Sequence, residues 1–270
     1  MTIINLGFSP CPNDTFIFHG LVNGGIDTGD IRFIEHLLDI DQLNIAAELG
    51  SLDMIKVSFH AYLSLKDRYT LLTSGGALGR GCGPLLVVNN KDAYKNISDL
   101  KSKTIAIPGK LTTAYLLMRL YDPDISCNII VMPFNNIMTA VVNGEVDAGL
   151  IIHESRFTYK SYGLHSIIDL GQWWEGETGL PIPLGCIILN KLNTEYVRIN
   201  QLLRDSVLYG INNRDKTMDY VKNHSTEMSD DVINSHINLY VNDFTVNFGD
   251  VGMKAIDMLT SRASALNLRP

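Results

Sequence analysis

Two of the seven histidines stand where an imidazole can do chemistry. His60 and His153 each follow a short apolar run, residues 54–58 and 148–152, at the end of what reads as a strand. A strand-end histidine is often just a satisfied polar group. An uncharged imidazole facing a ligand, however, can take up a proton near neutral pH and return it. His153 is the better placed because Glu154, Arg156 and Tyr159 follow it. A neighbouring carboxylate can orient an imidazole, although adjacent residues on an extended chain point to opposite sides. His19, His36, His165, His224 and His236 fall on helix faces, in mid-strand or in loops with no visible partner, and read as structural or solvent-exposed.

A second feature suits anions. Thr112-Thr113-Ala114 opens a helix just after Pro108-Gly109, and free amides with a threonine hydroxyl at a helix start make an anion site. The plainer reading gives one threonine the job of N-cap. Asn13-Asp14 carries the same ambiguity. Asp14 would repel a carboxylate, so it reads as a hydroxyl-binding or capping residue.

Several templates are absent: no Walker lysine loop, no GxGxxG opening a helix, no GxSxG elbow and no HExxH. The glycine-rich residues 75–84 precede a strand, which fits a flexible crossover near a hinge better than a phosphate loop. Trp173-Trp174 could form a rim over a flat ring or simply pack. The four cysteines, Cys11, Cys82, Cys127 and Cys186, lie far apart without zinc-like spacing.

These residues need a frame. Strand and helix signals alternate from residue 3 to residue 89, then restart at residue 104. Such alternation predicts an α/β fold with mixed, mainly parallel sheets covered by helices. An internal echo supports two related lobes. Gly50-Ser51-Leu52-Asp53 precedes the strand ending at Ser58, with His60 beyond, and Gly144-Glu145-Val146-Asp147 precedes the strand ending at Ile152, with His153 beyond. The expected organisation is residues 1–88 as the start of a first lobe and 89–186 as an inserted second lobe. Residues 187–270, mostly helical, then return to the first. In open α/β sheets ligands bind beyond the carboxyl ends of the strands. That places residues 9–14, 58–60, 109–114 and 153–156 around one cleft.

A chain of 270 residues with 46% hydrophobic content supports two cores. The net charge of −7, with no dense Lys/Arg stripe, argues against a nucleic-acid partner. No apolar stretch approaches the ~20 residues that span a bilayer. Met1 leads straight into a strand-like run without a basic leader, so a reduced cytoplasmic location is expected. Oligomeric state is left open.

Six strings point to a family. They are Ser9-Pro10-Cys11-Pro12-Asn13-Asp14-Thr15-Phe16, Lys56-Val57-Ser58-Phe59-His60-Ala61-Tyr62, Gly79-Arg80-Gly81-Cys82-Gly83-Pro84, Thr112-Thr113-Ala114, His153-Glu154-Ser155-Arg156-Phe157-Thr158-Tyr159 and Gly179-Leu180-Pro181-Ile182-Pro183-Leu184-Gly185. In this order, from residue 3 to about residue 190, the chain resembles the 1,4-dihydroxy-6-naphthoate synthases of the futalosine route to menaquinone. The resemblance implies a two-lobed, periplasmic-binding-protein-like type II fold with the ligand cleft between the lobes. It implies a carbon–carbon lyase that converts cyclic dehypoxanthine futalosine, an aromatic carboxylate, to 1,4-dihydroxy-6-naphthoate without metal or redox cofactor. It places the base at His153 and ligand contacts at Ser58, Thr112, Thr113 and Ala114; Asn13, Asp14 and His60 join them on the reading above. His60 is the fallback base, and the roles of Cys11, Cys82 and Arg80 stay open. Two other readings compete: a non-catalytic carboxylate-binding protein or sensor of the same fold, and the related chorismate dehydratase.

Overall fold

The computed structural model describes residues 1–125, 127–225 and 229–268. It opens with β1 (Thr2–Phe8), α1 (Pro12–Val22), β2 (Ile31–Leu37), α2 (Ile40–Leu49) and β3 (Met54–Ser58). Then come α3 (Phe59–Leu65), β4 (Tyr69–Leu71) and β5 (Ala77–Gly79). β6 (Leu85–Val88) crosses to a second sheet. There β7 (Thr104–Ile107), α4 (Thr113–Tyr121), β8 (Asn128–Val131), α5 (Phe134–Val142) and β9 (Ala148–Ile151) repeat the opening unit. After α6 (Ser155–Thr158), β10 (His165–Asp169) and α7 (Leu170–Thr178), β11 (Ile182–Asn190) returns to the first sheet. Helices α8 (Tyr196–Asn212), α9 (Arg214–His224), α10 (Asp230–Tyr240), α11 (Asp243–Val246) and α12 (Gly249–Ala265) follow.

The two sheets have the same plan. The first runs β2-β1-β3-β11-β4, with β5 also on β11, and the second, from its far edge, runs β8-β7-β9-β6-β10. Residues of matching role hold matching places. Asp53 accepts hydrogen bonds from the Asn5 amide and side chain at β1, and Asp147 accepts one from the Thr104 amide at β7. Each aspartate thus ties the loop before one strand to its parallel neighbour. Gly50 and Gly144 end their helices in the left-handed conformation, which a glycine adopts without strain. The echo in the sequence is a repeated βαβαβ unit.

The sheets are mixed, as expected, with parallel strands at one side of each and antiparallel strands at the other. β1 pairs in parallel with β2 and β3, and β7 with β8 and β9, whereas β11, β6 and β10 pair antiparallel. The cause is topological: each sheet takes its fourth strand from the chain as it crosses between lobes. The chain leaves the first sheet between β5 and β6 and rejoins it at β11. The glycine-rich residues 75–84 are largely buried and contain β5, too short to show periodicity. A close backbone approach makes the crossing possible, since a Cβ added at Gly83 would lie 2.2 Å from Gly171 Cα.

Three apolar clusters hold the molecule. One packs α1 and α8 on the first sheet, through Phe8, Phe18, Leu203 and Val207. Another packs α5 on the second, through Val87, Ile137 and Val141. The largest contains Ile55 and Val57 of β3 together with Leu86 of β6 and Ile105 of β7, so the lobes share one core. The C-terminal helices α8, α9 and α10 pack on α1 of the first lobe.

Candidate functional site

α1 and α4 occupy equivalent places in the two units, and both start at one cleft beyond the carboxyl ends of β3 and β9. About 660 Å³ of space, partly open to solvent, lies between Ser9, Asn13, Asp14, Lys56 and Ser58 of the first lobe and Thr112, Thr113, Ala114, Ile152 and His153 of the second. Ile40, Cys82, Pro84, Leu184, His236 and Tyr240 complete the wall. Two helix starts facing one space favour negative charge there.

His153 leaves β9 in the left-handed conformation, φ 56°, which costs a side chain with a Cβ roughly 1–2 kcal/mol. Such strain persists where the surroundings dictate it. The turn aims the ring across the cleft, so that Nδ1 lies 3.5 Å from Cys11 Sγ, the N-cap residue of α1. Nε2 is buried without a hydrogen-bond partner among the described residues. Leaving a buried polar atom unpaired costs about 1–3 kcal/mol. Burial lowers the proton affinity of His153 to a pKa of about 4; Asp14 opposes the shift and Lys56 adds to it. The ring is therefore neutral at neutral pH.

Glu154 is not the group that orients His153. Its carboxyl is buried with Oε2 unpaired, and burial pushes its pKa up to about 6. Arg156 turns away to Asp169, at 2.6 Å, and to the Gly83 carbonyl, pinning the crossing into the second lobe.

The cleft holds a buried ion pair that the sequence did not single out. Lys56 Nζ lies 2.7 Å from Asp14 Oδ1, and both side chains are nearly inaccessible. Asp14 also accepts hydrogen bonds from the Ser9 hydroxyl and the Asn13 side-chain amide. Asp14 thus acts as an anchor for the ammonium, and Asn13 as its support. Ser58 is held by Asn44, which donates to its hydroxyl and accepts from its amide.

The two threonines divide their roles. Thr112 is the N-cap of α4: its hydroxyl donates to the Gly109 carbonyl at 2.7 Å and accepts from the Tyr115 amide. The Thr113 hydroxyl donates to the Leu184 carbonyl at 2.6 Å and accepts from the His60 amide, which joins α4 to the first lobe. Both threonines line the cleft, each with its hydroxyl against a carbonyl. The Thr113 and Ala114 amides, in the first turn of α4, have no intrahelical partner and suit an anion.

His60 is brought near α4 but turned from the cleft wall, with Nε2 at 3.0 Å from the Leu268 carbonyl. Arg80 is exposed and bonds Glu175 and the Gly179 carbonyl. Cys82 lines the cleft, its thiol pushed up to a pKa of about 12 by burial. Both tryptophans pack: Trp174 is fully buried, donating to the Pro181 carbonyl, and Trp173 meets Tyr121 edge-on. His236, read from the sequence as structural or exposed, is instead fully buried and lines the cleft. The i, i+4 spacing of His236 and Tyr240 on α10, which places both on one face, was the available signal.

Two lobes built on matching sheets, with helix starts facing a cleft between them, define the periplasmic-binding-protein-like class. Solved structures agree. The alkanesulfonate-binding protein of Xanthomonas axonopodis pv. citri, bound to MOPS, superposes with TM-score 0.71 at 17% identity, covering 100% of this chain and 95% of that one. A protein of Archaeoglobus fulgidus superposes with TM-score 0.90 at 33% identity, covering 98% of both chains.

Within that class the chain belongs to the menaquinone-biosynthesis family, whose model matches residues 4–265. It is 45% identical to the 1,4-dihydroxy-6-naphthoate synthase of Streptomyces coelicolor, covering 99% of this chain and 95% of the relative. It is 43% identical to the enzyme of the same name from Thermus thermophilus, covering 99% and 96%. The chain is an enzyme of menaquinone synthesis. Among the described residues no helix is long and apolar enough to cross a membrane.

Proposed function

We propose that the cleft converts cyclic dehypoxanthine futalosine to 1,4-dihydroxy-6-naphthoate by carbon–carbon cleavage, releasing a three-carbon fragment, with His153 as general base. The observation that carries this is the His153 ring: neutral, fixed at Nδ1 by Cys11, and with Nε2 unpaired at the cleft. Breaking a carbon–carbon bond beside a carbonyl requires a base and a holder for the developing oxyanion. Nε2 takes the initiating proton, and the electron pair released moves onto the neighbouring carbonyl oxygen. The bond to the three-carbon fragment then breaks, the fragment takes a proton back from the imidazolium, and aromatisation of the ring drives the step.

Lys56 and the first-turn amides of α4 supply the positive potential for the carboxylate or the oxyanion. A substrate anion in the cleft also raises the proton affinity of His153, since a nearby negative charge favours imidazolium. That corrects the weakness of a base with a pKa of about 4 in the empty cleft. The shared core limits how far the lobes part, and closure over the substrate excludes water.

Incubating the purified chain with cyclic dehypoxanthine futalosine tests the reading, with naphthoate followed by mass and fluorescence. Product is expected, and none of the dehydrated product from chorismate. Binding without turnover would move the chain to a sensor, the reading that the sulfonate-binding fold relative favours. Turnover of chorismate alone would make it the dehydratase.

A further inference from the structure

His236 lies on α10, far from every motif that marks the family resemblance. Its ring is fully buried, yet neither Nδ1 nor Nε2 has a hydrogen-bond partner among the described residues. Imidazole always carries at least one N–H donor and, when neutral, one acceptor. Buried polar atoms in folded proteins are overwhelmingly paired. The surrounding side chains do not supply the pair: the Tyr240 ring packs at 4.7 Å, but its hydroxyl goes to the Cys82 carbonyl. Phe157 offers only a ring face at 6.2 Å. His236 also lines the cleft beside His153, with ring centroids 6.3 Å apart.

Charge narrows what can complete this site. Burial, with His153 and Lys56 nearby, keeps His236 neutral. A carboxylate is better served by Lys56 and the first-turn amides of α4. An uncharged imidazole with a free donor and acceptor suits a hydroxyl or carbonyl oxygen.

We propose that His236 is a second ligand-contacting imidazole, which hydrogen-bonds an uncharged oxygen of the bound molecule while His153 handles the proton. The identity of that molecule rests on the function proposed above. The contact itself rests on the unpaired, buried ring. It makes the cleft select for oxygen-bearing ring systems over plain aromatic acids of the same shape.

Two probes separate the contributions: 1,4-dihydroxy-6-naphthoate, with ring hydroxyls, and 2-naphthoate, with the carboxylate alone. In histidine-15N-labelled protein the His236 nitrogens, assigned through contacts with Tyr240, should shift with the first probe and stay unmoved with the second. His236→Phe should weaken the dihydroxy probe ~10-fold, the scale of one lost hydrogen bond, and leave 2-naphthoate within about threefold. His236→Gln should recover part of the loss. Equal weakening of both probes would reduce His236 to a packing residue, and no weakening with unmoved signals would remove the contact. Either result overturns this proposal and leaves the lyase reading standing. A wild-type chain that binds neither probe overturns both. The labelled wild-type spectrum decides the question even if a variant does not fold.

Discussion

The thiol of Cys11 and the imidazole of His153 meet at 3.5 Å, although 142 residues separate them in sequence. One caps the first helix of the first lobe and the other ends the last parallel strand of the second. The contact exists only because the lobes face each other, and it fixes which ring nitrogen is left for chemistry. Burial, with Glu154 and Asp14 nearby, raises the Cys11 pKa well above its usual value, so the group is a thiol and not a thiolate. It acts by holding the ring in place. Cys11→Ala should therefore lower kcat ~10-fold with KM little changed, a loss on the scale of one positioning contact. Cys11→Ser should keep much of the rate. A KM effect without a kcat effect would show that Cys11 serves binding instead.

The acid side of the pH profile should carry the lowered pKa of His153. Below its pKa the ring is protonated and cannot act as a base, so activity falls as pH falls through that value. For kcat/KM, which reports the free enzyme, the fall is expected near pH 4 and not near the usual histidine value of 6.5. For kcat it should lie higher, because the bound anion favours the imidazolium. Glu154→Gln should leave both limbs in place. A limb near pH 6 that vanishes in Glu154→Gln would assign the titration to Glu154 instead.

The Asp14–Lys56 pair should respond unequally to removal of its members. Without Asp14, Lys56 keeps among the described residues only the Gly75 carbonyl, at 3.4 Å. Without Lys56, Asp14 still accepts from Ser9 and Asn13. Breaking a buried pair typically costs about 3–5 kcal/mol. Asp14→Ala should approach that loss and Lys56→Met should fall well below it, by urea denaturation at pH 7. Lys56→Met should nevertheless weaken 2-naphthoate binding, because it removes the cation from the cleft. Equal destabilisation by both would contradict the asymmetry.

Backbone strain at His153 gives a test independent of turnover. Glycine takes φ near 56° freely, whereas alanine keeps the steric cost of a Cβ. His153→Gly should be more stable than His153→Ala by ~1 kcal/mol, with both variants much slower than the wild type. Alanine equal to or above glycine in Tm would mean that the turn is not strained.

Much of this architecture could be read from local pattern. The Gly-x-x-Asp echo marked the repeated unit because glycine and aspartate do the same work in each: ending a helix and tying a loop to the next strand. Thr112 announced a helix cap for similar local reasons. What escaped was set by packing between distant segments. The places of β6 and β11 as antiparallel fourth strands follow from the chain crossing between lobes, which periodicity does not encode. β10 is exposed and polar at its start, at His165 and Ser166, and shows no strand alternation. Lys56 looked like one residue of an apolar strand until Asp14 was placed beside it. The partner of His153 proved to be Cys11 across the cleft, not Glu154 next in sequence. His236 carried no motif, and only the packing of α10 against the first lobe brought it to the site.

The central claim is that His153 is the base of a lyase. Single turnover of cyclic dehypoxanthine futalosine by excess enzyme, with substrate affinity measured in parallel, addresses it directly. His153→Ala should slow naphthoate release by ~10²–10⁴, the range for loss of a general base, while affinity changes only a few-fold. Product release at the wild-type rate from a folded His153→Ala variant would contradict the assignment and pass the role to another group at the cleft.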